Sequence, residues 1–174
     1  MIKDFNLLAT TMRGTEREAC YELERLLSQI GDSAPNIRRT SVSGLIAAKT
    51  SVAPTEAIEK LRKILLERPY EFRFTLRIIP IEKVVPTDMA EIQRLASELA
   101  QAIGANEAFR ITVEKRFTKI SSHELIEAVA ANIKRKVALE KPDRVLLIEI
   151  VGGFTGLSLL KADGVLFVQK EKVL

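Results

Sequence analysis

Three cations and a phenylalanine, all within five positions, are the residues of this 174-residue chain best suited to chemistry. Lys115, Arg116 and Lys119 surround Phe117 in the segment KRFTK, which directly follows the run FRITVE. Ammonium and guanidinium groups bind phosphate oxygens, and an aromatic ring can stack on a nucleobase. Phe117 could instead be a buried anchor of the core, and this is the interpretation we favour for the ring. The cations predict a site for a phosphate-rich ligand.

Further cations extend this basic segment. Arg110 lies within the run itself, and Lys134, Arg135 and Lys136 follow the next predicted helix. Residues 109–145 contain 9 Lys and Arg against 5 Asp and Glu, an excess that equals the net charge of +4 of the whole chain. Cations in a last helical turn also complement the helix dipole, so a solvated surface is an alternative explanation for the later three. We include Arg110, Lys134 and Lys136 among the candidate residues that bind this phosphate-rich ligand.

Other reaction chemistry has little support in the sequence. His123 is the only histidine and Cys20 the only cysteine, which excludes a disulfide within the chain and disfavours a zinc site or a histidine-based triad. The phosphate-loop, dinucleotide-binding and metalloprotease motifs are absent. The glycine-rich segment Gly152–Gly156 follows a predicted strand without a helix after it, which favours a loop or bulge between strands, with close approach of a ligand as the alternative. We expect no catalytic residue, no metal and no cofactor, although an enzyme that uses surface carboxylates is an alternative.

Hydrophobic periodicity places these residues on a mixed α/β fold. Apolar residues at helical spacing predict four helices that begin near Thr15, Pro54, Thr87 and Ser121. Ser121 with Glu124 forms a capping box at the start of the fourth helix. Alternating or continuous apolar runs predict the strands, which are Phe5–Met12, Ile37–Ser43, Leu45–Thr50, Phe72–Ile78, Phe109–Glu114, Val145–Val151, Leu157–Leu160 and Val165–Val168. The last two are predicted to pair with each other, and Pro80 and Pro86 bracket a predicted linker that marks a boundary between two units.

The segment from Phe72 to about Glu171 resembles a THUMP domain, an RNA-binding module of tRNA 4-thiouridine synthetases, some RNA methyltransferases and pseudouridine synthases. The resemblance rests on FRFTLRIIPIEKV, FRITVEKRF, SSHELIEAVAANI, VALEKPDRVLLIEIVGG and SLL, which occur in that order. The leading FNLLATTMRGTEREACYELERLL is similar to the ferredoxin-like segment that accompanies THUMP domains. The resemblance implies an N-terminal ferredoxin-like domain at residues 1–71 and a THUMP domain at residues 72–174, each a two-layer sheet with packed helices.

The resemblance also implies a function. The chain most resembles the free-standing THUMP adaptors of tRNA cytidine N4-acetylation, which would bind the acceptor region of tRNA, including its 3′ CCA end. Because the sequence ends at Leu174 without a methyltransferase, ATP-pyrophosphatase or deaminase segment, we expect a non-catalytic adaptor. Its expected partner is an RNA cytidine acetyltransferase acting in trans. Matching the motif gives Lys115, Arg116 and Lys119 as RNA-binding residues, with Lys134 and Lys136 following by proximity.

The sequence leaves alternatives to the adaptor function open, and it also indicates a cellular location. The chain could be the RNA-binding subunit of a split thiouridine synthetase or methyltransferase, or a protein-interaction scaffold with no RNA role. No apolar run approaches the roughly 20 residues needed to span a bilayer, and Met1 leads into polar residues that do not resemble a signal peptide. We therefore expect a soluble, cytoplasmic protein with no membrane partner and no small-molecule substrate.

Overall fold

A computed structural model describes residues 3–172 as two compact units. One unit contains the described residues up to Ile81 together with those from Gly164 onward, and the other is Glu82–Asp163. Within residues 3–172 there are ten strands and five α-helices, so the predicted mixed α/β fold class is confirmed. Every helix in this part of the chain is too short or too polar to cross a bilayer.

The first unit has the strand and helix order of a ferredoxin-like fold. Its first six elements are β1 (Leu7–Thr11), α1 (Glu16–Gln29), β2 (Asn36–Arg39), β3 (Leu45–Lys49), α2 (Pro54–Glu67) and β4 (Thr75–Pro80). The strands form an antiparallel sheet in the order β4-β1-β3-β2. Both helices pack their apolar residues on one face of this sheet, against Leu7, Ile46 and Ile78. These two layers confirm the ferredoxin-like prediction.

A buried carboxylate determines where β4 begins. Glu22 of α1 is 2% exposed and accepts main-chain hydrogen bonds from Arg73 at 2.6 Å, Phe74 at 3.1 Å and Thr75 at 2.7 Å. Carboxyl oxygens that are buried in a core need hydrogen-bond donors, and these amides supply them. The amides of Arg73 and Phe74 therefore bond to α1 rather than to a strand, and the strand that was predicted from Phe72 begins at Thr75.

The second unit places two helices on one face of a mixed sheet. Its elements are β5 (Lys83–Pro86), α3 (Met89–Ala100), β6 (Ala108–Arg116), α4 (Ser122–Ala130), β7 (Lys136–Val137), β8 (Arg144–Val151) and β9 (Phe154–Lys161). The strand order is β5-β9-β8-β6-β7. The two helices contact each other and share one core with Phe109, Ile148 and Leu157.

Four strands of the second unit point in the same direction. β6 is parallel to β7 and β8, and β5 shares their direction because β5 and β8 both pair antiparallel with β9. The last residues of β5, β6 and β8 therefore lie at one end of the sheet, which we call the carboxyl edge. α3 begins after β5 and α4 begins after β6 at this same edge.

The end of the chain returns to the first unit. β10 (Leu166–Phe167) pairs with β4 and is followed by α5 (Val168–Glu171). The predicted pairing of Leu157–Leu160 with Val165–Val168 is therefore wrong, because β9 lies between β8 and β5 instead.

The boundary between the units lies between Ile81 and Glu82, inside the stretch from Pro80 to Pro86 that was predicted to separate them. The predicted domain bounds of residues 1–71 and 72–174 place the boundary too early, because β4 pairs with β1 and completes the first sheet. Pro80 and Pro86 end the strands β4 and β5, so most of the stretch between them is strand and not a linker. Pro86 is compatible with β5 because an edge strand has one side that needs no ladder donor.

Candidate nucleic-acid interface

The KRFTK segment spans the last two residues of β6 and the first half of the connection from β6 to α4, at the carboxyl edge. β6 ends at Arg116, and α4 begins at Ser122. The Ser121 side chain accepts a hydrogen bond from the Glu124 amide at 3.3 Å, so the predicted N-cap is confirmed. The first turn of α4 consequently presents the positive end of its dipole at this edge, where phosphate oxygens bind favourably.

Hydrogen bonds connect this loop to its neighbours along the edge. The amide of Gly152 donates to the carbonyl oxygen of Arg116 at 2.9 Å, and the amide of Thr87 donates to the carbonyl oxygen of Gly153 at 2.9 Å. The β8–β9 turn therefore lies between the loop before α4 and the loop before α3. Gly152 has a φ of 57°, a conformation that glycine adopts without strain. The carboxyl ends of parallel strands are the usual ligand-binding edge of α/β sheets.

Phe117 is an exposed ring on a strained backbone. Its φ is 56°, and it is the one non-glycine residue with a positive φ in residues 3–172. A side chain in the left-handed region costs roughly 1–3 kcal/mol, and such residues concentrate at functional sites. The side chain is 72% exposed, so the prediction that it anchors the core is wrong. An exposed ring held in this way is available for stacking on a base.

Lys115 and Lys119 are exposed on either side of this ring in sequence. The Lys115 ammonium donates a hydrogen bond to the carbonyl oxygen of Ile120 at 3.2 Å, which leaves its charge uncompensated. Neither lysine forms an ion pair with any carboxylate of the described residues. Both charges can therefore attract a phosphate.

Arg116 has a different environment from the one predicted. Its Nη1 lies 3.4 Å from Oε2 of Glu149 on the neighbouring strand β8, and the two side chains are 14% and 1% exposed. In the β6–β8 register Glu149 pairs with Glu114, two residues before Arg116, so both members of the ion pair lie on the same face of the sheet. The guanidinium thus compensates a buried carboxylate and lies largely out of solvent.

The remaining predicted residues lie at the opposite end of the sheet. β7 pairs with the start of β6, where Lys136 is aligned with Ala108. Ala108 and Lys115 are seven residues apart on one strand, which corresponds to about 23 Å. Arg110 donates to the carbonyl oxygen of Leu139 at 2.9 Å. Lys134 and Lys136 follow α4 without belonging to it, since that helix ends at Ala130. The predicted set therefore forms two separate groups.

Sequence reasoning missed the glycine turn as a part of the carboxyl edge. The sequence favours a loop at Gly152 and Gly153 with ligand approach as the alternative, and the parallel direction of β6 and β8 is what places this loop at the ligand-binding edge. His123, in the first turn of α4, is 81% exposed and lies 3.0 Å from Glu127. Within residues 3–172, no group of three or more His, Cys, Asp or Glu side chains is placed to hold a metal ion.

One protein-family model matches the part of the chain that contains this edge. The family model described as THUMP domain matches residues 86–160, from the end of β5 into β9. The matched segment includes the KRFTK loop, both helices and the glycine turn. Comparison with curated proteins gives no match.

Solved structures share the fold over most of the chain. The protein PH1313 from Pyrococcus horikoshii is 19% identical with a TM-score of 0.63, over 91% of this chain and 55% of that one. TrmN from Thermus thermophilus is 15% identical with a TM-score of 0.58, over 90% and 45%. A 4-thiouridine synthetase, solved with RNA and ATP, is 16% identical with a TM-score of 0.56, over 91% and 42%. This chain therefore spans about half the length of these structures.

Proposed function

We propose that this chain, whose residues 86–160 match the THUMP domain model, binds tRNA and presents it to a modifying enzyme that acts in trans. One observation supports this proposal above the others: Lys115 and Lys119, both without a carboxylate partner in the described residues, flank the exposed ring of Phe117. Lysines attract phosphates and an aromatic ring stacks on a base, so the group suits single-stranded nucleic acid.

The proposed contact uses the carboxyl edge for the acceptor region of tRNA. Phosphates of the backbone bind the two ammonium groups and the first turn of α4, while an unpaired base of the 3′ CCA end stacks on Phe117. Such contacts provide affinity with little base reading, because they involve phosphate and ring faces. The similar fold of a 4-thiouridine synthetase solved with RNA supports RNA as the ligand.

We further propose that the chain is a non-catalytic adaptor for cytidine N4-acetylation. The groups collected at the carboxyl edge are cations, an aromatic ring and helix N-termini, which bind a ligand without transferring a group to it. In this proposal an RNA cytidine acetyltransferase supplies the acetyl donor site and the chemistry. The resemblance to free-standing THUMP adaptors is the support for this more specific assignment.

The RNA contact is tested by the salt dependence of tRNA binding. Fluorescence anisotropy with labelled tRNA, measured from low to physiological salt, gives the slope of log K against log salt. The Lys115→Gln/Lys119→Gln variant should reduce the magnitude of that slope by about 1.4–1.8, since each lost phosphate contact contributes about 0.7–0.9. The matched control is Lys134→Gln/Lys136→Gln, which removes the same charge from the other end of the same sheet. Equal reductions in both variants, or none in the first, would refute the assignment of the site.

The adaptor role is tested by analysis of the nucleosides. The chain is incubated with unmodified tRNA, acetyl-CoA and ATP, with or without the RNA cytidine acetyltransferase of the same organism. Mass spectrometry of the digested tRNA should show N4-acetylcytidine only when both proteins are present, and less of it with Lys115→Gln/Lys119→Gln. Formation of any modified nucleoside by the chain alone would contradict a non-catalytic role. Thiouridine or methylated products with another enzyme would instead support a split synthetase or methyltransferase.

A further inference from the structure

β7 is an edge strand whose outer side has no neighbouring strand in residues 3–172. Val137 is aligned with Phe109 of β6, and the amide of Ala138 donates to the carbonyl oxygen of Phe109 at 2.9 Å. In a parallel ladder the residue between two bonded positions directs its own N–H and C=O away from the partner. Val137 therefore presents a donor and an acceptor on the open side of the sheet.

This edge combines exposed aliphatic side chains with positive charge. Val137 is 53% exposed and Leu139 is 70% exposed. The segment 134–141 contains four Lys and Arg against one Glu, and none of these four cations pairs with a carboxylate of the described residues. Large exposed aliphatic side chains next to one another are typical of surfaces that bind a protein partner.

The segment is held in position without any partner. Arg110 binds the carbonyl oxygen of Leu139 at 2.9 Å, and the Arg135 guanidinium binds the carbonyl oxygen of Ile103 at 3.1 Å. Both arginines donate to neutral acceptors, so they order the backbone and leave the positive charge in place. A surface that is already ordered binds a partner at a lower entropic cost.

The composition of the edge distinguishes between possible occupants. A second copy of this strand would bring the same cations into contact, and like charges oppose such pairing. A nucleic acid would gain phosphate contacts from the lysines but no stacking, because Val137 and Leu139 have no aromatic ring. An acidic extended peptide satisfies the open backbone groups of Val137, covers both aliphatic side chains and complements the cations.

We propose that β7 is a docking edge for an acidic, extended segment of a partner protein, which adds to the sheet as a further strand. The proposal goes beyond the RNA contact at the carboxyl edge and does not depend on it. The two surfaces lie at opposite ends of β6, so each can be altered without changing the other.

The test uses a fluorescein-labelled hexapeptide of alternating Glu and Val as the probe, with the Lys–Val hexapeptide as its charge-reversed control. Binding to the full chain is followed by fluorescence polarisation, and the contacted residues are located by amide chemical-shift changes in a ¹⁵N-labelled sample. We expect the acidic peptide to bind, the basic peptide not to bind, and the shifted amides to lie in residues 134–140.

Val137→Pro isolates the strand-addition step. The substitution removes the outward N–H, and it leaves the ladder intact because the donor to β6 is Ala138. Peptide affinity should fall by about tenfold through the lost hydrogen bond and the bulk of the ring, whereas Val137→Thr, which retains the N–H and the shape, should bind nearly as the wild type does. Circular dichroism of each variant verifies that it is folded.

Four results would overturn the proposal. The first is that the acidic peptide does not bind the wild-type chain at millimolar concentration, and the second is that Val137→Pro binds it unchanged. The third is that the peptide shifts amides outside residues 134–140. The fourth is that tRNA, in place of the peptide, shifts the amides of residues 134–140. A charge-reversed variant, Lys134→Glu/Lys136→Glu, should weaken the acidic peptide, and Lys60→Glu/Lys63→Glu in α2 provides the matched control. The first three results do not bear on tRNA binding at Lys115 and Lys119. The fourth would place tRNA at β7, and the Lys115→Gln/Lys119→Gln variant still tests the carboxyl edge separately, so the two proposals can fail independently.

Discussion

Replacing Phe117 with glycine and with alanine separates the backbone strain at this residue from the binding role of its ring. Both variants lose the same aromatic ring, so the contribution of the side chain to packing cancels when the two are compared. Only glycine adopts a φ of 56° without a steric penalty. The order of stability of the two variants therefore reports on the backbone alone.

The expected difference follows from two opposing terms. At ordinary positions glycine is roughly 0.5–1 kcal/mol less stable than alanine because it gains more conformational freedom on unfolding. A left-handed conformation costs alanine about 1–2 kcal/mol. The second term is the larger at Phe117, so the glycine variant should be more stable than the alanine variant by about 0.5–1 kcal/mol. The order is the reverse of the one found at most positions.

Urea unfolding followed by far-ultraviolet circular dichroism measures this difference, and tRNA anisotropy measures the role of the ring. Stacking of one base on an aromatic side chain contributes about 1–3 kcal/mol, so both variants should bind tRNA about 5–150-fold more weakly than the wild type. The two variants should lose affinity equally despite their different stabilities.

Two results would refute this reasoning. An alanine variant at least as stable as the glycine variant would show that residue 117 is not left-handed in solution. Unchanged tRNA affinity in either variant would show that the ring does not stack on a base, and the carboxyl edge would then bind phosphate alone.

Two further predictions concern charged groups of the two units. Arg116→Met should destabilise the chain by roughly 3 kcal/mol because it leaves the 1%-exposed Glu149 without its guanidinium partner. The double variant Arg116→Met/Glu149→Gln should recover part of that loss. Urea unfolding measures both, and a stability of Arg116→Met within about 0.5 kcal/mol of the wild type would contradict this prediction. Burial alone would raise the pKa of Asp32, but hydrogen bonds from Thr50, Ser51 and Ala34 together hold its pKa below the usual range. The stabilisation that this carboxylate contributes is therefore present above about pH 4 and is lost as the pH falls through its pKa in the folded state. Unfolding in urea at pH 7, 4 and 3 should show a smaller loss of stability on acidification for Asp32→Asn than for the wild type, and equal losses would exclude this role for the carboxylate.

The elements of both units could be predicted because their periodicity is local. The run from Phe109 alternates, and the buried β8 is continuously apolar, so each pattern identified its strand. The pairing of the last strand could not be predicted in this way. The apolar pattern of Leu166–Phe167 is compatible with pairing to β9 or to β4. Contacts with residues distant in sequence determine that this strand joins β4.

The candidate site was predictable as a segment but not as a surface. Lys115 and Lys134 are close in sequence and were therefore predicted to form one site. The crossover through α4 instead returns the chain to the start of β6, so β7 and the cations beside it lie at the other end of the sheet from Lys115. The partner of Arg116 was also hidden, since Glu149 is 33 residues away in sequence and faces it only through the register of two parallel strands. Phe117 is exposed on a left-handed backbone, which a phenylalanine seldom adopts. Because no pattern of residue types indicates this conformation, the exposure of the ring could not be predicted from the sequence.

The separation of cations along β6 has a consequence for how one small sheet can serve two partners. A strand of nine residues holds the carboxyl edge and β7 about 23 Å apart between Lys115 and Ala108, which is more than twice the screening length of about 8 Å at physiological salt. A polyanion bound at one end therefore contributes little electrostatic repulsion to an acidic segment bound at the other. If both proposals hold, lysines at one end of the sheet attract an RNA and lysines at the other end attract an acidic peptide. The neighbouring groups then select the partner at each end. At the carboxyl edge the selecting group is the aromatic ring of Phe117, and at β7 it is the aliphatic side chains with the open strand edge at Val137.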